Sequence, residues 1–349
     1  MARVMVTGCN GYIGSVLVAK LIEDGHDVRG MDSGLFEDCV FGRERLVDVD
    51  VVHKDVRDAT YQDFQGFDSV VHLAALSNDP MCNVDPVLTF DINYRAASKA
   101  ATMAKWAGVK QFVFYSSCSV YGKTPHEVDE SGHVNPLTAY AMAKLLAEGE
   151  IASMYDDSFK PVILRNATVF GYSPRQRLDL IIPDMVFSAL TEGKVVLRSS
   201  GTTQRPHVSI KDLSALTSKI VAGGSNVWKL SGRRFNVVGF NATALQVATA
   251  VAEVTGCGIV HESNEVDARD YLVGGHRIES VLNWKPFVGL RQGIREIVER
   301  FKTFALRLDD EARTMCVRLH RLNELRGAGR LDGELRWTRE SQTDGAYSS

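Results

Sequence analysis

The sequence predicts an α/β protein whose core is a doubly wound parallel sheet, with a smaller C-terminal lobe. Three observations lead there. Apolar, strand-like runs alternate with helical patterns through residues 3–165. A glycine-rich turn separates the first strand from the first helix. The chain has 349 residues, 45% of them hydrophobic, which is enough for one large domain or two smaller ones.

The first strand, 3–7, reads Arg-Val-Met-Val-Thr, and a helix at about 12–24 follows the glycine turn. Strands are expected at 27–31, 49–53 and 69–73. A long helix at about 87–107 leads to a strand at 111–116, and a helix at about 138–155 leads to a strand at 161–165. Such alternation lays the strands parallel and covers both faces with helices. Past residue 170 the regularity weakens. Segments 172–208 and 241–290 hold short apolar runs broken by Gly, Pro and charges, whereas 209–240 reads as a return to the main sheet. The expected division is 1–170 plus about 209–240 for a nucleotide-binding domain and 171–208 plus 241–304 for the smaller lobe. Residues 305–349 form a helical extension and loose tail. Ile294, Phe301, Leu308, Met315 and Leu322 recur every seven residues, with Ile297 and Phe304 at intermediate positions. Glu311 and Arg318 then break the second stripe. This drift predicts one long amphipathic helix ending at Gly327 and Gly329. The polar stretch 338–349 is expected to be loose.

A net charge of −3 gives no reason to expect nucleic acid or an anionic membrane surface. Six scattered cysteines, with no Cys-x-x-Cys pair, read as reduced thiols in a cytoplasmic protein. The first residues already form a strand, so no targeting segment is expected. No apolar run reaches membrane-spanning length. The nine histidines show no ligand-like spacing, and no metal is expected.

Thr7-Gly8-Cys9-Asn10-Gly11-Tyr12-Ile13-Gly14 follows a strand and opens a helix. Glycines there allow a sharp turn, close backbone approach to a pyrophosphate and tight strand-helix packing. The phosphates then meet free N–H groups at the positive end of the helix. Asp32 ends the second strand, where a carboxylate accepts hydrogen bonds from the adenosine ribose. It repels the 2′-phosphate of NADP, and Ser33, Gly34 and Leu35 bring no Arg to offset that, so the expected cofactor is NAD. Asp55 and Val56, after the third strand, are expected to frame the adenine.

Tyr140 and Lys144 are four apart and share a helix face. A nearby ammonium stabilises a phenolate, which turns a poor base at neutral pH into a usable one. Tyr140 is therefore expected to move a proton at a substrate hydroxyl while hydride leaves its carbon. Ser117 is expected to hydrogen-bond the same oxygen.

With Asp55-Val56, His72-Leu73-Ala74-Ala75, Asn93, the run Ser116–Gly122, Leu164-Arg165 through Phe170-Gly171 and Arg205-Pro206-His207-Val208, these motifs resemble the extended short-chain dehydrogenase/reductases. The closest likeness is to their nucleotide-sugar epimerase/dehydratase branch, of the UDP-glucose 4-epimerase type, over roughly residues 1–300. The resemblance implies a Rossmann-type domain and a substrate-binding C-terminal lobe. It adds Leu73, Ala74, Ala75 and Asn93 to the cofactor side, with Gly8, Asn10, Gly11, Tyr12, Ile13, Gly14, Tyr140 and Lys144. Ser77, Asn78, Ser119, Asn166, Thr168, Arg205 and Arg269 join Ser117 on the substrate side, Arg205 being placed to grip a nucleotide diphosphate. The helices at 87–107 and 138–155 resemble those that pair in the family's homodimers. Their alanines (Ala96, Ala97, Ala100, Ala101, Ala104) permit close approach but equally suit packing on the sheet.

The family's dehydratases carry an Asp-Glu pair where this chain has Cys118 and Ser119, which argues against 4,6-dehydration. The glutamate typical of decarboxylases is absent at position 119. Cys118 reads as a small buried residue. What remains is transient oxidation of a nucleotide sugar at C4 and return of hydride to its other face. An NAD-linked nucleotide-sugar dehydrogenase or 2-epimerase needs the same residues. A non-catalytic NAD-binding scaffold, using 294–326 to hold a partner, is a third reading, against which stand Ser117, Tyr140 and Lys144.

Overall fold

The computed structural model describes residues 1–42, 46–77, 81–82, 85–224, 227–230, 232–263, 269–304 and 308–338. The first half follows the alternating pattern. β1 (Arg3–Thr7) leads through the glycine turn into α1 (Tyr12–Glu23), then β2 (Asp27–Asp32), β3 (Asp50–His53) and β4 (Ser69–His72). A continuous helix, α2, runs through Pro86–Phe90, a π-helical stretch Asp91–Ala96 and Ala97–Trp106. β5 (Gln111–Ser117), α3 (Ala139–Ser153) and β6 (Lys160–Asn166) follow.

Later elements are β7 (Thr168–Phe170), α4 (Ile181–Glu192), β8 (Lys194–Leu197), β9 (Gln204–Ser209), α5 (Ile210–Val221) and β10 (Arg234–Val237). Then come β11 (Phe240–Thr243), α6 (Ala244–Thr255), β12 (Gly258–His261), α7 (His276–Leu282) and α8 (Leu290–Phe304).

Among the described residues the main sheet has seven strands in the order β10-β6-β5-β4-β1-β2-β3, every pairing parallel. The expected doubly wound fold is therefore present. Strand polarity explains the apolar runs. Val4, Val6, Val71, Val113, Val162 and Leu164 pack on one face with α1 and α5. Met5, Val70, Phe112, Phe114 and Ile163 pack on the other with α2 and α3. Alternate residues point to opposite faces, so a strand covered on both sides must be apolar throughout. The alanine stripe of α2 lies in this second layer, against the sheet. Two small sheets, β11-β9-β7 and β12-β8, sit beyond β6, over a separate core beneath α4, α6 and α8.

The strand order reverses between β1 and β4, where a doubly wound sheet opens a crevice at its carboxyl ends. The loops named by the sequence meet there.

The single long C-terminal helix is not formed. α8 ends at Phe304, and two shorter helices follow: α9 (Asp310–Cys316) and α10 (Arg318–Gly327). Asp309 starts α9 by accepting from the Ala312 N–H at 2.9 Å. Val317 is extended (φ −97°, ψ 105°) and separates α9 from α10. The seven-residue stripe is thus divided. Ile294, Ile297 and Phe301 pack beneath α4 and α6, whereas Leu322 and Leu325 join a separate cluster with Leu35, Leu76 and Ile92. One straight helix cannot reach both apolar surfaces. Of the tail, only Thr338 lies among the described residues; it donates to the Arg330 carbonyl. No described helix is long and apolar enough to cross a membrane.

Candidate active site

One cleft of about 680 Å³ lies across the carboxyl ends of the main sheet. At its floor the glycine turn joins β1 to α1. Gly8 has φ +75°, and a Cβ there would lie 2.8 Å from the Ala74 nitrogen. At Gly14 a Cβ would lie 2.2 Å from the Gly8 oxygen. These two positions tolerate no side chain without moving backbone. Gly11 caps α1 without any side-chain hydrogen bond, so the first amides of the helix are left to the cleft. Gly11, Tyr12 and Ile13 line it.

Asp32 stands at the end of β2. Its carboxylate accepts from the Asn10 N–H at 3.0 Å and the Gly34 N–H at 2.9 Å. Burial pushes its pKa up, against the pull of those two bonds. Asn10 itself is not a cleft-lining residue; its backbone orients Asp32. Lone pairs remain on Asp32 for ribose hydroxyls. An uncapped helix start, a turn with no Cβ at Gly8, Gly11 and Gly14, and an oriented carboxylate fit a dinucleotide.

Asp55 and Val56 also line the cleft. Burial raises the Asp55 pKa, but Arg57, which grips it at 2.6 Å, outweighs this and holds the carboxyl below its usual range. Leu73, Ala74 and Ala75 form the wall beyond β4. Asn93 does not reach the cleft, contrary to its expected place beside the cofactor. It is fully buried, and its amide brackets the Leu76 backbone, accepting at 2.8 Å and donating at 2.8 Å. Its role is to fix the loop after β4. Ser77 lines the cleft and accepts from Arg177 at 2.9 Å. Asn78 and Asp79 lie outside the described residues.

Ser117, Tyr140 and Lys144 converge on the same cleft. Ser117 ends β5, and its hydroxyl accepts from the Ser119 N–H at 3.1 Å. Thr138 caps α3 through the Ala141 N–H, which sets the register of Tyr140 and Lys144 one turn on. Lys144 is 3% exposed and donates to the Tyr115 carbonyl at 2.8 Å. Its ammonium lies 6.0 Å from the Tyr140 ring centre. Burial pushes the Lys144 pKa down to about 8. Glu148, one turn further, is fully buried and holds Arg165 (2.7 Å), Arg234 (3.0 Å) and the Ser116 hydroxyl (2.5 Å). That network joins α3 to β5, β6 and β10. Cys118 points away from the cleft and donates to the Arg165 carbonyl at 3.1 Å, while burial raises its pKa.

At the far end, Ser119, Asn166, Thr168, Arg205 and Arg269 line the cleft together. Arg205 lies 5.1 Å over the Tyr271 ring and donates to the Arg269 carbonyl. Beneath it His207 is buried and stacked on Phe240; burial, then Arg205, pushes its pKa down to about 3, so it is neutral. The Asn166 Oδ1 and Ser119 Oγ have no hydrogen-bond partner among the described residues, which leaves both for a ligand.

Two contributions were not read from the sequence. Arg177 and Asp179 form a buried pair at 2.8 Å on the cleft wall. The signal available was the Arg-x-Arg-x-Asp run at 175–179. The second comes from the C-terminal extension: Val317, Arg318, Leu319 and Leu335 all face the cleft. No local pattern marks them.

Residues 4–237 match the model of the family described as NAD dependent epimerase/dehydratase. The chain belongs to that family. It is 30% identical over 318 residues to the UDP-glucose 4-epimerase of Mycolicibacterium smegmatis, covering 86% of this chain and 98% of that protein. Among solved structures it resembles MoeE5 in complex with UDP-glucuronic acid and NAD, at 26% identity and TM-score 0.75, over 86% of this chain and 99% of that one. The UDP-glucuronic acid 4-epimerase from Bacillus cereus shares the fold, at TM-score 0.74 and 22% identity, with coverage of 86% and 99%. The glycine turn, Asp32 and the Ser117/Tyr140/Lys144 group all line one cleft.

Proposed function

We propose that the protein is an NAD-dependent epimerase of a nucleotide-diphosphate sugar, acting at C4. The observation that carries this is the shared cleft: Ser117, Tyr140 and Lys144 stand beside a dinucleotide cradle and below a second, arginine-lined end. The similarity to a UDP-glucose 4-epimerase over nearly all of that protein supports it.

Gly8, Gly11–Gly14 and Asp32 hold NAD, which when bound supplies the acceptor and donor of hydride. Tyr140 takes the proton from the C4 hydroxyl as hydride leaves C4. Lys144 holds the phenolate, and Ser117 donates to the same oxygen. The keto sugar turns, and Tyr140 returns the proton as hydride enters the opposite face. Atoms balance, and the product has the mass of the substrate. Arg205 and Arg269 bind the diphosphate. Residues 1–170 with 209–240 serve the cofactor, and 171–208 with 241–304 serve the sugar nucleotide. Met142 and Leu146, exposed on α3, suit a homodimer through α2 and α3. Six free cysteines, five buried, suit a cytoplasmic setting.

The test is incubation of the purified protein with nucleotide sugars, read by chromatography and mass. Retained NAD and an isomer of unchanged mass are expected. A two-hydrogen loss with NADH release would instead make it a dehydrogenase. Tyr140→Phe should lower turnover by about 10²–10⁴-fold while keeping NAD.

A further inference from the structure

The segment 308–338 has no role in the reading above, yet four of its residues, Val317, Arg318, Leu319 and Leu335, line the cleft. Its leucines Leu322, Leu325, Leu331 and Leu335 form one apolar cluster with Leu35 after β2 and with Leu76 after β4. In a doubly wound sheet these are the two loops that flank a dinucleotide. Trp337 Nε1 donates to the Ser33 carbonyl at 2.6 Å, next to Asp32. Arg336 pairs with Asp58 at 2.5 Å, beyond the loop of Asp55 and Val56. The segment is thus fastened to the loops after β2, β3 and β4.

Arg318 is its most informative residue. It is 2% exposed and lines the cleft. Its guanidinium lies 4.8 Å from the Phe36 ring centre, and Nη2 donates to the Arg175 carbonyl at 3.0 Å. Nη1 is buried without a hydrogen-bond partner, and the carboxylate that acts on Arg318, Asp179, is already paired with Arg177 at 2.8 Å. A buried cation in that state is unfavourable until an anion meets it. The position selects the anion. Arg175 belongs to the turn that packs on the start of α1: Ser173 donates to the Tyr12 carbonyl at 2.8 Å and meets Ser15 at 3.0 Å. Arg318 is thus tied, through the Arg175 carbonyl, to the turn that packs on the start of α1, and it shares the cleft with Arg205 and Arg269.

We propose that residues 308–338 complete the dinucleotide site: Arg318 presents Nη1 to the pyrophosphate, and Leu335, anchored through Trp337 to Ser33, covers the adenosine, so the cofactor exchanges only when the segment undocks. This rests on the NAD reading. It also gives an epimerase a means to keep its cofactor through repeated turnovers.

The full chain, stripped of nucleotide, is titrated with NAD and, separately, with UDP, and NAD release is timed after dilution. Arg318→Met should weaken NAD by about 10-fold or more, as loss of a charge-assisted bond does, with UDP unchanged. Arg318→Lys should recover part of that loss. The double variant Arg336→Gln/Trp337→Leu leaves Arg318 intact and should speed NAD release; it decides the matter if Arg318→Met does not fold. Unchanged NAD affinity and release would overturn the proposal, as would a loss of UDP affinity alone, which would assign Arg318 to the sugar nucleotide. A parent chain that binds UDP but no NAD would overturn the cofactor reading itself.

Discussion

The Lys144 ammonium lies 6.0 Å from the centre of the Tyr140 ring, one helical turn away, while it donates to the Tyr115 carbonyl at 2.8 Å. A buried cation is thereby held by a single backbone acceptor and aimed at the edge of the cleft where the phenol stands. In the proposed mechanism this cation supports the Tyr140 phenolate, and the arrangement is testable from both sides.

Lys144 titrates near 8 in the fold, below its unfolded value of about 10.4. The charged form supports Tyr140, so kcat/KM for the free enzyme should fall as pH rises through about 8. Between the two values the unfolded chain binds the proton and the folded one does not. This group's contribution to stability therefore increases from pH 8 towards 10, opposite to the activity. Lys144→Met should lose about 10²-fold or more in kcat yet unfold at a temperature no lower than the parent. A marked fall in the unfolding temperature would contradict this account.

Glu148, fully buried, pairs with the buried Arg165 and with the half-buried Arg234. Glu148→Ala leaves the buried Arg165 cation without its counter-charge and should cost about 3–5 kcal/mol in denaturant unfolding. A loss under about 1 kcal/mol would mean that water or rearrangement satisfies the arginines.

At Gly14 a Cβ would meet the Gly8 and Cys9 carbonyl oxygens at 2.2 and 2.7 Å. Gly14→Ala must push the turn into the phosphate space. The variant should purify without NAD, as judged by nucleotide released on denaturation; NAD at parental occupancy would move the cofactor elsewhere.

Asp32 accepts from Asn10 and Gly34 and faces the cleft. Asp32→Ser should weaken NAD binding and narrow its advantage over NADP, because the repulsion of the 2′-phosphate is lost. Comparing the two dissociation constants for both proteins checks this. An unchanged ratio would remove Asp32 from the ribose site.

The sequence alone determined what depends on neighbours along the chain. Alternation over two residues set the strands, spacing of four put Tyr140 and Lys144 on one face, and glycine spacing marked the turn into α1. It misjudged the path after Phe304, because a heptad stripe reports apolar spacing but not which surface will bury it. Asn93 reads from the sequence as a cofactor contact for a similar reason: its type is legible, but its direction, towards Leu76, is set by packing. Tertiary structure alone brought the pair Arg177 and Asp179, and Arg318 and Leu335 from the C-terminal segment, to the cleft that begins at Gly8. Those contacts span tens to hundreds of residues. They form only when separate apolar surfaces are buried against each other, and no local period encodes that.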